Sequence, residues 1–298
     1  MKRILLSLFF VCLVLAGCVI PAGCGHAPVA ADPMAVAGVR TIAHRGLNVL
    51  GDTTLGQNTV EAFRAAATSP SVWGIETDVW QTADNVLVCM HDRDAVYGIK
   101  DVHAATSQQV LSSPLEAYRK ENLYAPTYAA YLDVCRAGNK VAVVELKDKD
   151  MDADGLNAVL SMARERGVSL CVISFYYPLL QHVRNVDPDV DCMWLVDKKQ
   201  SKYAREMPYE GGDGLDEALA LCIREGISLS CNAQWLAQQE EKGYARVAAF
   251  HEANLQVGIW TVDSVQDALT YIETLGVDYI TSNVDIGHDL YAYAAAKR

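Results

Sequence analysis

The sequence around the second predicted strand decides the fold: Gly74-Ile75-Glu76-Thr77-Asp78-Val79-Trp80, the turn Ala83-Asp84-Asn85, and then Val86-Leu87-Val88-Cys89-Met90. Residues 74–80 are rich in β-branched and aromatic side chains, which predicts a strand. Successive side chains of a strand point to opposite faces, so Glu76 and Asp78 share one face. The short turn predicts that residues 86–90 return antiparallel as a hairpin, which brings His91 beside these two acids.

Outward from this stretch, strand patterns alternate with helical patterns along the chain. The strands are predicted at residues 41–45, 74–80, 141–146, 170–174, 192–196, 227–231, 257–262 and 279–281. The helices between them are predicted at residues 59–67, 128–136, 155–166, 177–186, 215–225, 244–253 and 265–274. This alternation predicts an α/β fold of the TIM (β/α)8 barrel type, with the hairpin and a short insertion at residues 93–124 after the second strand. An open, doubly wound sheet is the alternative, but no glycine-rich nucleotide motif follows any predicted strand.

The composition excludes some classes of partner. The chain has 298 residues, 51% of them hydrophobic, and a formal net charge of −12. Nucleic acid would require a basic surface, so the acidic balance argues against a nucleic-acid partner and is compatible with metal cations. The sequence leaves the oligomeric state open.

The N-terminus has the features of an export signal. Lys2 and Arg3 precede an uncharged apolar run at residues 4–15, which is long enough for a signal peptide and too short to span a membrane. The run ends in Leu15-Ala16-Gly17-Cys18, which resembles the bacterial lipobox. Ordinary signal cleavage at nearby small residues is the alternative.

These features divide the chain into three parts. We predict a signal peptide at residues 1–17, a tether at residues 18–38 that is anchored through a lipid on Cys18, and a single TIM-barrel domain at residues 39–298. The protein is therefore expected to be an exported bacterial cell-envelope lipoprotein that is attached to the membrane.

The sequence contains nine cysteines. Four of them lie in apolar strand-like runs, where a free cysteine packs like a small hydrophobic residue: Cys89, Cys171, Cys192 and Cys231. No pair of cysteines has the spacing of a zinc site. We predict buried thiols and no particular disulfide pairing.

Charged and polar residues collect where the predicted strands end. The segments concerned are His44-Arg45-Gly46, Glu145-Leu146-Lys147 and Trp260-Thr261. In a TIM barrel the carboxyl ends of the strands form the active-site face, so these segments should meet there with Glu76 and Asp78. Carboxylates are hard oxygen ligands, which predicts a Ca²⁺ or Mg²⁺ site on Glu76, Asp78 and Glu145.

The remaining residues of this face suit an anionic substrate. A free imidazole titrates near neutrality, so of His44 and His91 one is expected to act as a base and the other as an acid. Arg45 and Lys147 supply positive charge, which together with a divalent metal favours a phosphoryl centre. Alternatively, Lys147 only pairs with Glu145, and Arg45 only braces a loop.

In order along the chain, these residues match a known family. The matching segments are His44-Arg45-Gly46, Asn58-Thr59, Ala62-Phe63, Glu76-Thr77-Asp78-Val79, His91-Asp92, Pro126-Thr127, Glu145-Leu146-Lys147 and Trp260-Thr261-Val262. Between residues 40 and 285 the sequence resembles the glycerophosphodiester phosphodiesterase family. The resemblance implies a metal-dependent TIM-barrel phosphoric diester hydrolase, which cleaves small-molecule glycerophosphodiesters to glycerol 3-phosphate and an alcohol.

The resemblance also implies roles for individual residues. His44 and His91 would form the acid–base pair, and Arg45 and Lys147 would bind the phosphate. The metal ligands would be Glu76, Asp78 and Glu145. Trp260 either lines the substrate pocket or belongs to the core. The insertion would form the lid or the glycerol pocket.

Two departures from the family leave further alternatives open. The family usually has Glu-Asn-Thr where this chain has Gln57-Asn58-Thr59, so a carboxylate near the site is missing. Near the C-terminus the family usually has an aspartate where this chain has Asn283. Both departures support a lipoprotein that binds glycerophosphodiesters without cleaving them, although the paired histidines oppose that alternative. A phosphodiesterase for another headgroup is a second alternative. Asn58 is expected to be the N-cap of the helix that follows it.

Overall fold

Eight parallel strands close into a barrel in the part of the chain that the computed structural model describes, which comprises residues 38–50, 53–197, 215–241 and 247–296. The barrel strands are β1 (Arg40–Ala43), β4 (Val72–Gln81), β6 (Val141–Leu146), β7 (Leu170–Ser174), β8 (Asp191–Val196), β9 (Ser228–Asn232), β10 (Val257–Trp260) and β11 (Tyr279–Ser282). Strand β1 is hydrogen-bonded to β11 on one side and to β4 on the other. This closure confirms the TIM barrel and excludes the open sheet.

The predicted hairpin is confirmed. Strand β5 (Leu87–Cys89) runs antiparallel to β4, with Val79 opposite Cys89 and Gln81 opposite Leu87. The insertion that follows contains two 3₁₀ turns and the short helix α2 (Ser107–Ser112). Its apolar side chains form a cluster with those of the hairpin, made of Val88, Met90, Val96, Val102, Ala105, Val110, Leu115 and Ala125.

Helices follow the barrel strands along the chain. They are α1 (Val60–Thr68), α3 (Tyr128–Ala137), α4 (Ala153–Arg166), α5 (Tyr177–Val186), α6 (Leu215–Glu225), α7 (Ala233–Glu241), α8 (Val247–Glu252), α9 (Val265–Leu275) and α10 (Gly287–Ala296). Each predicted helix is present. The additional elements are α2, α7, α10 and the two-residue strands β2 (Val49–Leu50) and β3 (Thr53–Thr54). Among the described residues, no helix combines the length and apolar character that a membrane crossing requires.

The barrel has an outer and an inner apolar layer. On β6, Ala142 and Val144 pack into the large cluster that the helices cover, whereas Val141 and Val143 belong to the smaller inner cluster. Because side chains alternate along a strand, Glu145 continues the inner face at the carboxyl end of β6. The alternation thus places a carboxylate above the packed interior of the barrel.

The cysteines of the described part are free and buried, as predicted: Cys89, Cys135, Cys171, Cys192, Cys222 and Cys231. The predicted signal peptide, Cys18 and nearly all of the predicted tether lie outside the described residues.

Candidate active site

Three carboxylates meet at the carboxyl end of the barrel. Glu145 on β6 lies beside Asp78 of β4 in the parallel register, and Glu76 lies two residues before Asp78. One oxygen from each of the three lies within 4.8 Å of the others, and all three residues are buried. The structure therefore brings the predicted metal ligands together.

The cluster is electrostatically unfavourable without a cation. Burial, together with the charges of Asp78 and Glu145, raises the pKa of Glu76 well above its usual value. Burial and Asp78 also raise the pKa of Glu145 to about 8. Burial acts to raise the pKa of Asp78 too, but Lys147 and Arg45 outweigh it and lower that pKa. Asp78 is therefore the ionised member of the three at neutral pH.

Two cations contact these acids. Arg45 Nε lies 3.4 Å from Asp78 Oδ2, and Lys147 Nζ lies 3.2 Å from Glu145 Oε1 and 3.7 Å from Asp78 Oδ1. Burial acts to lower the pKa of Lys147, but Glu145 and Asp78 outweigh it and raise that pKa. Arg45 Nη1 also donates to Gln57 Oε1 at 2.6 Å, so Arg45 braces the loop before α1 as well.

The backbone turns sharply between β1 and the site. Arg45 and Gly46 have φ angles of 54° and 77°, in the left-handed region. A Cβ atom on Gly46 would lie 2.6 Å from the carbonyl carbon of Ala62, so α1 approaches too closely for any other residue. This approach lets Arg45 N donate to Glu76 Oε2 at 2.7 Å, which joins β1 to the acid cluster.

His44, which directly follows β1, is held by a hydrogen bond to one of its ring nitrogens. Its Nδ1 lies 2.8 Å from Asn283 Oδ1. Burial, followed by the charge of Arg45, lowers the pKa of His44 to about 4, although the Asn283 hydrogen bond opposes this. The ring is therefore neutral at neutral pH and can accept a proton.

His91 follows the hairpin and faces the site from the β4 side. Its Nδ1 lies 2.8 Å from Asp92 Oδ1, and its Nε2 lies 3.1 Å from Lys147 Nζ. Asp92 therefore fixes the orientation of the imidazole ring, and Lys147 links it to the acid cluster.

Two cavities adjoin these residues. The smaller one, of about 220 Å³, is lined by His44, His91, Arg45, Lys147, Glu76 and Glu145, and by apolar side chains that include Phe175 and Trp260. The larger one, of about 400 Å³, lies between the site and the insertion, and Leu115 and Tyr118 belong to its lining. Arg45 and His91 line both cavities, so the two spaces meet at these side chains.

Trp260 is a wall of the smaller cavity. Its ring packs edge-on against Phe175, with ring centroids 5.8 Å apart. Its Nε1 is buried and has no hydrogen-bond partner in the described structure. An indole N–H in this position can donate to a group that enters the cavity.

Asn58 belongs to the site, and its expected role as a helix cap was wrong. The N-cap of α1 is Thr59, whose side chain accepts a hydrogen bond from Ala62 N. Asn58 instead donates from Nδ2 to Asp78 Oδ2 at 2.8 Å and accepts from Thr77 Oγ1 at 2.7 Å. Threonine is also a favoured N-cap residue, so Thr59 beside Asn58 is the signal in the sequence that Asn58 was free for another role.

The family model of the glycerophosphoryl diester phosphodiesterases matches residues 44–285, which include all of these side chains. The chain belongs to this family. It is therefore a phosphoric diester hydrolase by family. No curated protein matches the chain.

Solved structures share the fold. A glycerophosphodiester phosphodiesterase from Parabacteroides distasonis is 21% identical with a TM-score of 0.66, covering 87% of this chain and 98% of its own. A putative glycerophosphoryl diester phosphodiesterase from Silicibacter pomeroyi is 23% identical, with a TM-score of 0.65 and coverages of 85% and 94%. An Oleispira antarctica phosphodiesterase, solved with its product sn-glycerol-3-phosphate, is 15% identical, with a TM-score of 0.64 and coverages of 85% and 96%.

The acid cluster fits the divalent metal on which this phosphodiesterase family generally depends. Asp78 Oδ1 is buried and has no hydrogen-bond partner among the described residues, so a carboxylate oxygen is available to a cation. Glu76 and Glu145 would each exchange a proton for a bound cation, which removes the repulsion between the acids. Three carboxylates are the donor set of a hard cation.

Proposed function

We propose that this phosphodiesterase hydrolyses glycerophosphodiesters to glycerol 3-phosphate and an alcohol, with Ca²⁺ or Mg²⁺ on Glu76, Asp78 and Glu145. His44 and His91 are the acid–base pair. The observation that carries the proposal is one cavity lined by both imidazoles, two of the acids and two cations. The product bound to the Oleispira antarctica enzyme supports the same product here.

The proposed reaction has two steps. In the first, neutral His44 takes the proton of a glycerol hydroxyl as its oxygen attacks phosphorus. The bond between phosphorus and the alcohol oxygen breaks, His91 protonates that oxygen, and a cyclic phosphate remains. In the second, His91 takes a proton from water as the water attacks phosphorus, the bond between phosphorus and the glycerol oxygen that attacked in the first step breaks, and His44 returns its proton to that oxygen.

The charged residues support both steps. Arg45 and Lys147 bind the non-bridging phosphoryl oxygens, and Arg45 presents a planar group that suits two of them. When bound, the metal would stabilise the negative charge that develops on the phosphoryl oxygens.

The two cavities suit the two halves of a diester. His44 lines the smaller cavity, so the glycerol half that it deprotonates belongs there, beside Trp260. His91 lines both cavities, so the leaving alcohol, whose oxygen it protonates, can extend into the larger one. We therefore assign the insertion to the leaving alcohol, whereas the family resemblance allowed a glycerol pocket there.

The reaction is tested by incubating the purified protein with glycerophosphocholine, glycerophosphoethanolamine and glycerophosphoglycerol, and measuring released glycerol 3-phosphate. We expect EDTA to abolish release and Ca²⁺ or Mg²⁺ to restore it. His44→Ala and His91→Ala should each lower the rate about 10²–10⁴-fold. His288→Ala is the matched control, because its side chain is 79% exposed on α10.

Each alternative has its own outcome. An undiminished rate in His44→Ala would contradict the proposed chemistry. A diester that stays bound and uncleaved after long incubation with either metal would favour the binding protein that Gln57 and Asn283 suggested. Cleavage restricted to other phosphodiesters would favour a different headgroup.

We also propose that the protein is a lipoprotein of the bacterial cell envelope, anchored through Cys18. The basic pair Lys2 and Arg3, the apolar run at residues 4–15 and the lipobox-like end support this proposal. In an expressing bacterium, labelled palmitate should enter the protein and be lost in Cys18→Ser but not in Cys24→Ser. Label and membrane association that survive in Cys18→Ser would contradict it.

A further inference from the structure

A short chain of hydrogen bonds leads from His44 to a carboxylate after β10. Asn283 Oδ1 lies 2.8 Å from His44 Nδ1, and Asn283 Nδ2 donates to Asp263 Oδ2 at 2.8 Å. The same carboxylate accepts from Asn283 N at 2.7 Å and from Ser282 Oγ at 3.0 Å. Asp263 therefore holds both the backbone and the side chain of Asn283.

The chemistry of these partners decides which way the Asn283 amide points. An ionised carboxylate only accepts hydrogen bonds, so the amide NH₂ faces Asp263 and the amide oxygen faces His44. Asn48 supports the same orientation, because its Nδ2 donates to Asn283 Oδ1 at 3.1 Å and to His44 O at 3.2 Å. An amide oxygen only accepts, so the hydrogen between Asn283 and His44 comes from His44 Nδ1.

We propose that Asn283, oriented by Asp263, is a positioning residue that keeps neutral His44 in the tautomer with its hydrogen on Nδ1. The lone pair then lies on Nε2, where it can accept the proton of the substrate hydroxyl, so the catalytic consequence rests on the proposed function of His44 as a base. Because Asn283 is uncharged, it directs the ring without placing a negative charge beside it. The lowered pKa of His44, caused by burial and then by Arg45, keeps the ring neutral, which is the form that has a tautomer to control.

Charged groups on three neighbouring segments also act on His44. They are Arg45 next to it in the chain, Asp78 on β4 and His91 after the hairpin. Arg45 and His91 disfavour a protonated ring, and Asp78 favours one. These groups influence whether the ring is charged, whereas the hydrogen bond to Asn283 selects the nitrogen that carries the hydrogen.

The tautomer is measured by NMR on the whole protein labelled with ¹⁵N-histidine at pH 7.5, with His44 assigned by the signals lost in His44→Ala. We expect a protonated Nδ1 and an unprotonated Nε2. In Asn283→Leu, which has a similar volume and no acceptor, the hydrogen should move to Nε2 or distribute between both nitrogens. Asp263→Asn keeps the packing but no longer dictates the amide orientation, so it should give a mixture. Ser282→Ala removes another partner of Asp263 and should leave the tautomer unchanged.

Kinetics supply a second readout. Asn283→Leu should lower kcat for glycerophosphocholine about 10–100-fold while KM changes less than about threefold. The reason is that the tautomer of the His44 imidazole affects proton transfer and does not affect substrate binding. The proposal is overturned if wild-type His44 carries its hydrogen on Nε2, or if Asn283→Leu keeps it on Nδ1. If the tautomers behave as expected and no diester is cleaved, the positioning stands and the proposed function fails.

Discussion

Replacing Glu145 with glutamine should stabilise the metal-free protein at neutral pH. In the folded protein, burial and Asp78 raise the pKa of Glu145 to about 8, so this side chain is largely protonated at pH 7. In the unfolded chain the same carboxyl has an ordinary pKa and is ionised. Folding at pH 7 therefore requires Glu145 to take up a proton, although pH 7 lies about 2.5 units above its ordinary pKa. This uptake costs about 3 kcal/mol at roughly 1.4 kcal/mol per unit.

Glutamine has the shape of the protonated carboxyl and needs no proton, so the free energy of unfolding should rise by about that amount. The difference in free energy of unfolding between Glu145→Gln and the wild type should grow as the pH rises. Below about pH 4.5 the carboxyl is protonated in both states, so the wild type and Glu145→Gln should unfold with the same free energy. As the pH rises towards 8, the unfolded wild type ionises and the folded wild type does not, so the difference grows. Above the folded pKa it stays constant.

The assay is urea unfolding in EDTA at several pH values between 4.5 and 8, with Glu121→Gln as the exposed control. Added Ca²⁺ or Mg²⁺ should stabilise the wild type and not Glu145→Gln, which has lost a ligand. A variant no more stable than the wild type at pH 7 would refute the reasoning, and so would a gain of equal size at pH 4.5.

Two further predictions concern residues that hold the site in place. Gly46→Ala should lower the free energy of unfolding by roughly 2–5 kcal/mol, because its φ is positive and its Cβ would meet Ala62. Gly98→Ala, also at positive φ but with no atom within 4 Å of its Cβ, should cost only about 1–2 kcal/mol; equal costs in urea unfolding would contradict the argument. Asn58→Leu should weaken Ca²⁺ or Mg²⁺ binding about 10–100-fold in calorimetry, because Asp78 Oδ2 loses its donor, and an unchanged affinity would contradict that role.

The barrel was predictable because its signals are local. Strand β6 and helices α5 and α6 have the predicted bounds, since a continuous apolar run or a clear apolar stripe marks each of them. Helix α7 was missed because it begins directly after β9 and buries little beyond Ala233, Trp235 and Leu236. Helix α2 was missed although Thr106 and Gln109 form a capping box, a signal that the sequence does contain.

Part of the site was equally predictable. The convergence of Glu76, Asp78 and Glu145 requires only the alternation of side chains along β4 and β6 and the parallel register between them. The amides were not predictable in the same way. Asn58 and Asn283 act through hydrogen bonds to residues far away in the chain, and their residue type alone does not reveal which donor or acceptor lies opposite.

Asp78 explains why the site can be both buried and ready for a cation. Lys147, Arg45 and Asn58 all direct donors or positive charge towards this carboxylate, so it remains ionised. Its negative charge in turn raises the pKa of Glu145, as it does that of Glu76. A cation that enters therefore meets one charged ligand and displaces protons from two others, so binding must be coupled to proton release. Because the pKa of Asp78 is lowered while those of Glu76 and Glu145 are raised, the metal-free protein avoids three adjacent buried charges. The protonation of Glu145 that this requires lowers the stability of the folded protein, and Glu145→Gln is designed to measure that loss.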